Sequence, residues 1–342
     1  MSTTAQELDL TALRHWFERH APEIEGPVTA ELLHGGRSNL TFRIDGPAGS
    51  WVLRRPPLGG LTPSAHDMGR EFRVVRALWG TDVPVARAVA LCEDPDVLGV
   101  PFSVVEHVAG TVVRSRADLE RLPRAGAEAC AYALVDAMAS LHAVPYDEIG
   151  LGRFGRPEGY LGRQVSRWRD QWDRVATREL PDLMRLHGLL AQRLPTESAA
   201  AIVHGDVRVD NAILDPDDPS RVRALVDWEM ATLGDPLADL ALHLVYRDEA
   251  FEPVLGGSAA SVSDRFPAPA ALAERYARAS ERDLGPLDFY LGLGYFKIAV
   301  IAEGIHARYA DGLTVGDGFE TVGSAVPRLA AAGLAALTGR TP

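Results

Sequence analysis

The stretch Ala201-Ile202-Val203-His204-Gly205-Asp206-Val207-Arg208-Val209-Asp210-Asn211-Ala212-Ile213-Leu214, followed by Arg223-Ala224-Leu225-Val226-Asp227-Trp228-Glu229, decides how this chain is read. Three short apolar runs, 201–203, 212–214 and 223–226, have the length and composition of buried strands, and polar segments separate them. Asp206 and Asn211 stand five positions apart on the first polar segment, and Asp227 closes the third run. Singly, such residues are ordinary turn formers that satisfy nearby backbone groups. Together they form a set of hard oxygen donors held between strands.

That set fits phosphoryl transfer. The reaction asks little covalent help of a protein. It needs a carboxylate to orient the attacking hydroxyl and oxygen ligands to hold Mg²⁺ on the nucleotide phosphates. Magnesium takes one or two protein carboxylates, with phosphate and water completing its shell. On this reading Asp206 is the base or orienting group, and Asn211 and Asp227 are the metal ligands.

Working outward, the N-terminal third is sheet-like. Leu10, Leu13 and Phe17, with Trp16 alongside, recur at helical spacing and predict a short opening helix. Residues 28–34, 39–44 and 50–55 read as strands, separated by turns at Gly35-Gly36 and Asp45-Gly46. A helix over 64–79 presents Met68, Phe72, Val75 and Leu78 on one face, and strands follow at 88–92 and 102–108. Beyond Gly110 the pattern turns helical, over 125–143, 163–174, 180–194 and from Pro236 onward, with a Gly, Ser, Ala and Pro-rich loop at 256–269. Helices segregated from the sheet indicate an α+β fold. The expected division is 1–108 and 109–342.

Composition sets limits. The 342 residues carry 35 Lys and Arg against 47 Asp and Glu, a formal charge of −12. Such a field disfavours nucleic acid and anionic membranes as general partners. The basic residues are arginines apart from Lys297. Cys92 and Cys130 are far apart and form no CxxC pair, which argues against a disulfide framework or a zinc knuckle. The longest apolar stretch, 290–305, is broken by Lys297 and Glu303 and is too short to cross a bilayer. No basic start followed by an apolar run opens the chain, so a cytoplasmic location is expected.

The pattern His-Gly-Asp-x4-Asn with a following Asp-Trp-Glu resembles the aminoglycoside-phosphotransferase-like kinases, relatives of protein kinases. Gly35-Gly36-Arg37-Ser38-Asn39-Leu40-Thr41 is similar to their phosphate loop. Three further words resemble one branch, the kinase domain found free in bacteria and fused to acyl-CoA dehydrogenases in animals. They are Trp51-Val52-Leu53-Arg54-Arg55-Pro56-Pro57, Ala65-His66-Asp67-Met68-Gly69-Arg70-Glu71 and Gly234-Asp235-Pro236-Leu237-Ala238-Asp239-Leu240. The likeness runs from about residue 30 to residue 310. It implies a bilobal protein-kinase-like fold, with a small β-rich N-lobe holding the phosphate loop and hinge and a larger helical C-lobe holding the catalytic loop and substrate site.

The resemblance also implies roles. Gly35 and Gly36 would let the backbone approach phosphates, with Ser38 and Asn39 as donors. Arg54 would take the place of the strand lysine of kinases, paired with Glu71; arginine keeps the charge and can fork onto two oxygens. Arg55 competes for that role, because neighbouring strand residues face opposite ways. Glu106 and Val108 would read adenine through their backbone, with Ile213 as the floor under the base. ATP is the expected donor, with GTP equally readable by a backbone hinge, and the oligomeric state is left open. His204 and Asp239 would support the catalytic loop. Arg208 would touch the transferred phosphate or else be a solvated surface arginine.

Gly205 occupies the position where protein kinases regulated by activation-loop phosphorylation carry arginine, which points to a small-molecule kinase. Its hydroxyl substrate would be met in the helical lobe through Glu229, Arg163, Arg167 and the 290–309 helix. The branch implies a hydroxyacyl thioester of coenzyme A, with Arg163, Arg167 and Arg169 serving an anionic carrier or merely forming a solvated face. A cationic aminoglycoside or another antibiotic is the competing acceptor. Two readings of other classes stand beside these. A metal-dependent hydrolase would use His204, Asp206 and Asp210, joined by His243, and leaves Arg54 and Glu71 without a role. A non-catalytic nucleotide-binding module has against it the presence of all three chemistry-bearing residues.

Overall fold

The computed structural model describes residues 8–33, 39–58, 67–197, 199–255, 259–314 and 318–339. In chain order these form α1 (Leu10–His20), β1 (Thr29–Leu33), β2 (Leu40–Gly46), β3 (Gly49–Arg55), α2 (Met68–Leu78), β4 (Ala88–Cys92), α3 (Pro95–Leu98) and β5 (Phe102–Glu106). Next come α4 (Arg116–Glu120), α5 (Arg124–Ala143), α6 (Tyr160–Val175), α7 (Pro181–Gln192), β6 (Ala201–Val203), β7 (Ala212–Leu214), β8 (Val222–Leu225) and β9 (Thr232–Gly234). Four helices complete the chain: α8 (Pro236–Val245), α9 (Pro269–Ser280), α10 (Leu287–Ala310) and α11 (Val322–Leu337). The expected α+β arrangement is the one observed.

The chain divides into two compact units. The first holds residues 1–109 and 223–231, the second 110–222 and 232–342. The chain therefore passes between units three times, where a single passage near residue 108 was expected. Residues 223–231 belong with the first unit for a local reason. Leu225 N–H donates to Pro84 O (2.8 Å), and Trp228 is buried in a 3-10 turn that packs on α2.

In the first unit a five-stranded antiparallel sheet runs in the order β1-β2-β3-β5-β4. Its buried face, with Phe42, Ile44, Trp51, Leu53, Phe102 and Val104, closes on Leu13, Trp16 and Phe17 of α1. The period of two along β3 puts Trp51, Leu53 and Arg55 on that buried side and leaves Val52 and Arg54 on the other. α1 starts where the Asp9 carboxylate caps the N–H groups of Thr11 and Ala12. Asp67 caps α2 in the same way through Arg70 N–H, so this helix begins at Met68; the expected start at 64 lies outside the described residues.

In the second unit α5 and α10 are the long buried helices. α5 is rich in alanine and leucine, and α10 packs against α6, α7, α8 and α11. β6 pairs antiparallel with β9, Ile202 opposite Leu233. α8 begins at Pro236 behind Asp235, whose carboxylate caps Leu237 N–H and accepts from Tyr290 OH (2.7 Å). The stretch expected to be a loop at 256–269 holds a 3-10 turn at Ala260–Val262, while 256–258 lie outside the described residues. No helix of the described residues is long and apolar enough to cross a membrane.

Candidate active site

In the second unit the segment leaving β6 is held from behind by Asp239 of α8. His204 N–H (2.6 Å) and Gly205 N–H (2.7 Å) both donate to its carboxylate. Two successive N–H groups converge on one side chain because Gly205 is left-handed (φ 84°), a conformation a Cβ would penalise. His142 Nε2 lies 3.3 Å from the same carboxylate, and His142 Nδ1 meets Tyr276 OH at 2.7 Å. Burial pushes the Asp239 carboxyl upward, but His142, His204 and the Gly205 N–H outweigh it and hold the group below the ordinary aspartate value. His204, fully buried, accepts from Asp206 N–H (3.3 Å) on its Nδ1.

Asp206 projects from this anchored loop. Tyr246 OH donates to its Oδ1 (2.5 Å), and Asn211 Nδ2 donates to its Oδ2 (3.0 Å) and to its carbonyl (2.9 Å). Arg208 is not a solvated surface arginine. Its Nε lies 3.1 Å from Asp206 Oδ1, its Nη2 lies 3.2 Å from Asp210 Oδ2, and its guanidinium stacks over the Tyr246 ring. Tyr246 is itself buried, which pushes its phenol well above the usual value, so it stays a donor.

In the first unit the competition between Arg54 and Arg55 is decided by the pleat. Arg54 pairs with Glu71 through Nη1 and with Asp227 Oδ1 through Nη2 (3.0 Å). Arg55 is buried on the opposite face over the Phe42 ring and donates to Pro56 O. One arginine serves three carboxylates here, because Glu229 adds its charge. Burial, with help from Asp227 and Glu229, pushes Glu71 up to about 7 despite Arg54. Glu229 thus acts in the field of Arg54 and Glu71, in the first unit, where the helical unit was expected to hold it. Asp227 has left-handed backbone (φ 69°, ψ 59°), which is unusual for a residue with a side chain.

The remaining expected residues fall as follows. Glu106 ends β5 with its N–H on Arg87 O (2.9 Å), while Val108 N–H makes no backbone hydrogen bond among the described residues. Ile213 lies in β7, half-buried, beside Gly110, where a Cβ would run into the Leu214 carbonyl and the Ile213 side chain. Asn39 is buried just before β2, and Gly35, Gly36 and Ser38 lie outside the described residues. On α6, Arg163 is spent on the carbonyls of Arg156 and Glu158, and Arg169 on Asp173. Arg167 is exposed, with its guanidinium over the Trp168 ring.

Asn211 in the second unit and Asp227 in the first each carry an oxygen of the kind magnesium takes. The Asn211 amide nitrogen is committed to Asp206, which leaves its Oδ1 as the acceptor. Asp227 has one oxygen on Arg54 and a second to offer. An amide and a carboxylate oxygen are the hard donors that magnesium takes, with phosphates and water supplying the rest. The hydrolase alternative fares worse. No group of three or more His, Cys, Asp or Glu able to hold a metal exists among the described residues, and His243 Nδ1 is bound to Val207 O (2.9 Å).

Three residues that contact the Asp206 loop or its Asp239 anchor escaped the sequence. Tyr246 and His142 lie on or beside apolar helices with nothing local to mark them. Lys297 of α10 read only as an interruption of an apolar run, yet its ammonium donates to Gly205 O (3.3 Å).

Comparison with known proteins gives a consistent setting. The sequence model described as the phosphotransferase enzyme family matches residues 29–290. Acyl-CoA dehydrogenase family member 11 of Gallus gallus is 36% identical over 321 residues, 90% of this chain and 40% of that protein; its Homo sapiens counterpart is 33% identical over 89% of this chain and 40% of its own length. The chain thus spans about 40% of these curated relatives. Among solved structures, a Ralstonia eutropha protein with a provisional aminoglycoside phosphotransferase name superposes with a TM-score of 0.83 at 33% identity, over 98% of this chain and 100% of that one. A ternary complex of a thermostable mutant of the aminoglycoside phosphotransferase APH(4)-Ia with AMP-PNP and hygromycin B gives a TM-score of 0.61 at 17% identity, over 93% and 97% of the two chains. At that identity the likeness concerns the fold.

Proposed function

The chain belongs to the phosphotransferase enzyme family, and from that premise we propose that it is a Mg²⁺-dependent kinase that moves the γ-phosphate of ATP to the hydroxyl of a hydroxyacyl-CoA. The observation that carries the proposal is the Asp206 carboxylate, held on both oxygens by Tyr246, Asn211 and Arg208 on a loop pinned by Asp239. Such a group orients an acceptor hydroxyl and takes its proton as the bond to phosphorus forms. Arg208, beside it, faces the charge of the transferring group. Arg54, steadied by Glu71, binds nucleotide phosphate together with Asn39 and the 35–38 stretch. Val108 N–H and Ile213 meet the base. Asn211 Oδ1 and Asp227 would each offer the metal an oxygen, and a bound ion would supply positive charge against the phosphates.

Support for the acceptor class comes from the curated relatives, which are named for acyl-CoA dehydrogenation, and from the exposed Arg167 on α6. A polycationic aminoglycoside calls for carboxylates around the hydroxyl, and the cations Arg167 and Lys297 disfavour it. The test is an ADP-release screen with Mg·ATP, repeated with Mg·GTP, over hydroxyacyl-CoAs, aminoglycosides, macrolides, choline and sugars. Turnover above the water background is expected with hydroxyacyl-CoAs. Turnover with an antibiotic and none with the thioesters would overturn the acceptor class.

A further inference from the structure

Lys297 is the single lysine of a chain with 35 basic residues. It sits in the middle of α10, half-buried, and makes no ion pair among the described residues. One N–H donates to Gly205 O, the residue before Asp206, and the ammonium lies 5.7 Å from the centre of the Trp168 ring. The exposed Arg167 stacks over the same ring at 5.9 Å. Burial pulls the ammonium below the ordinary lysine value, Asp206 and Asp239 draw it back up, and Arg167 lowers it again. A compact ammonium with two N–H groups uncommitted among the described residues, beside the group proposed to orient the hydroxyl, is placed to donate to a ligand.

Lys297 stands apart in sequence from the residues assigned above to the nucleotide. The family match ends at residue 290, and every residue assigned above to phosphate, metal or base lies within it. Lys297 lies beyond, on a helix that packs against α6.

Resting on the kinase reading, we infer that Lys297, on the Trp168 face and seconded by Arg167, recognises an acyl oxygen, a carbonyl or carboxylate borne by the same molecule as the hydroxyl that Asp206 orients. The site selects hydroxy acids and their thioesters over plain alcohols and polyamines. The carbonyl of Gly205 fixes the ammonium, so the acyl oxygen and the hydroxyl are measured against one short stretch of loop.

The experiment uses the full chain saturated with Mg·AMP-PNP, titrated by calorimetry with 3-hydroxybutyrate, its CoA thioester and 1,3-butanediol. The two acyl compounds are expected to bind and the diol is not; the thioester against the free acid shows which source of the acyl oxygen is preferred. Lys297→Met is expected to weaken acyl binding about tenfold or more, the loss of a charged hydrogen bond. Lys297→Arg recovers part of it. The weakening must also exceed any change in the slow hydrolysis of Mg·ATP to water. Diol binding equal to acid binding, no acyl binding by the wild type, no effect of Lys297→Met, or acyl binding and hydrolysis falling in the same proportion each overturns the inference. Acyl probes that bind through Lys297 and are never phosphorylated by Mg·ATP overturn the kinase reading's acceptor class and leave the recognition site standing.

Discussion

Asp206 and Asp227 close two neighbouring segments of sequence and are held in contrary ways. Around Asp206 the partners are Tyr246 and Asn211, each from fixed structure, with Arg208 across the same oxygen, and the loop itself hangs from Asp239. Asp227 has left-handed backbone, a conformation that costs of the order of 1–3 kcal/mol outside glycine and that its neighbours must impose. Trp228 helps, buried with its indole N–H on Leu225 O (2.9 Å), and Arg54 takes one carboxylate oxygen. A carboxylate cradled on both sides is placed to orient a partner atom with little freedom. A carboxylate aimed by its backbone, with one oxygen unspent, is placed to ligate.

Substitutions test that contrast. Asp206→Ala is expected to lower phosphoryl transfer by roughly a thousandfold, within the range for loss of a positioned base, while Mg·ATP affinity by calorimetry changes little. Activity near wild type in this variant would remove Asp206 from the mechanism. Asp227→Ala should act on binding instead. Mg·ATP affinity is expected to fall by about tenfold or more, the size of a lost charged ligand, with metal-free nucleotide binding in EDTA much less affected. An equal loss with and without metal would place the ion elsewhere. The smallest effect belongs to Tyr246→Phe, which removes one hydrogen bond from the cradle and leaves the ring under Arg208. A fall in kcat of about threefold to tenfold is expected, one hydrogen bond's worth, with nucleotide Kd unmoved. A change in nucleotide Kd larger than that in kcat would mean that the cradle serves binding.

Much of this was legible in the sequence. Asp206, Asn211 and Asp227 lie within 22 residues, so their spacing and the apolar triplets around them carry the signal. The five-strand sheet was readable from its short apolar runs, with turn formers between the first three and clear alternation in β2 and β3. Arg54 against Arg55 was not, since alternation gives two faces without saying which is buried; the side shared by Trp51 and Leu53 settles it. β9 is three residues long and exists only because β6 pairs with it. Tyr246, His142 and Lys297 reach Asp206, Asp239 and Gly205 from positions 40 to 97 residues away, through helix packing that no local pattern encodes. Glu229 was placed with the wrong unit because the chain's brief return to the first unit leaves no mark in composition.

That return, nine residues from Arg223 to Ala231, constrains how such a protein can be cut and recombined. A fragment ending at Ala109 would carry Arg54 and Glu71 but lack Asp227 and the Trp228 that packs on α2. A chimera taking 110–342 from a relative would import a foreign Asp227 segment and mate it with native Arg54. Exchanging the units as whole cassettes requires three junctions, two of them flanking the nine-residue segment that carries Asp227. New acceptor preferences are therefore more readily acquired one side chain at a time, on helices such as α6 and α10, than by shuffling parts of genes.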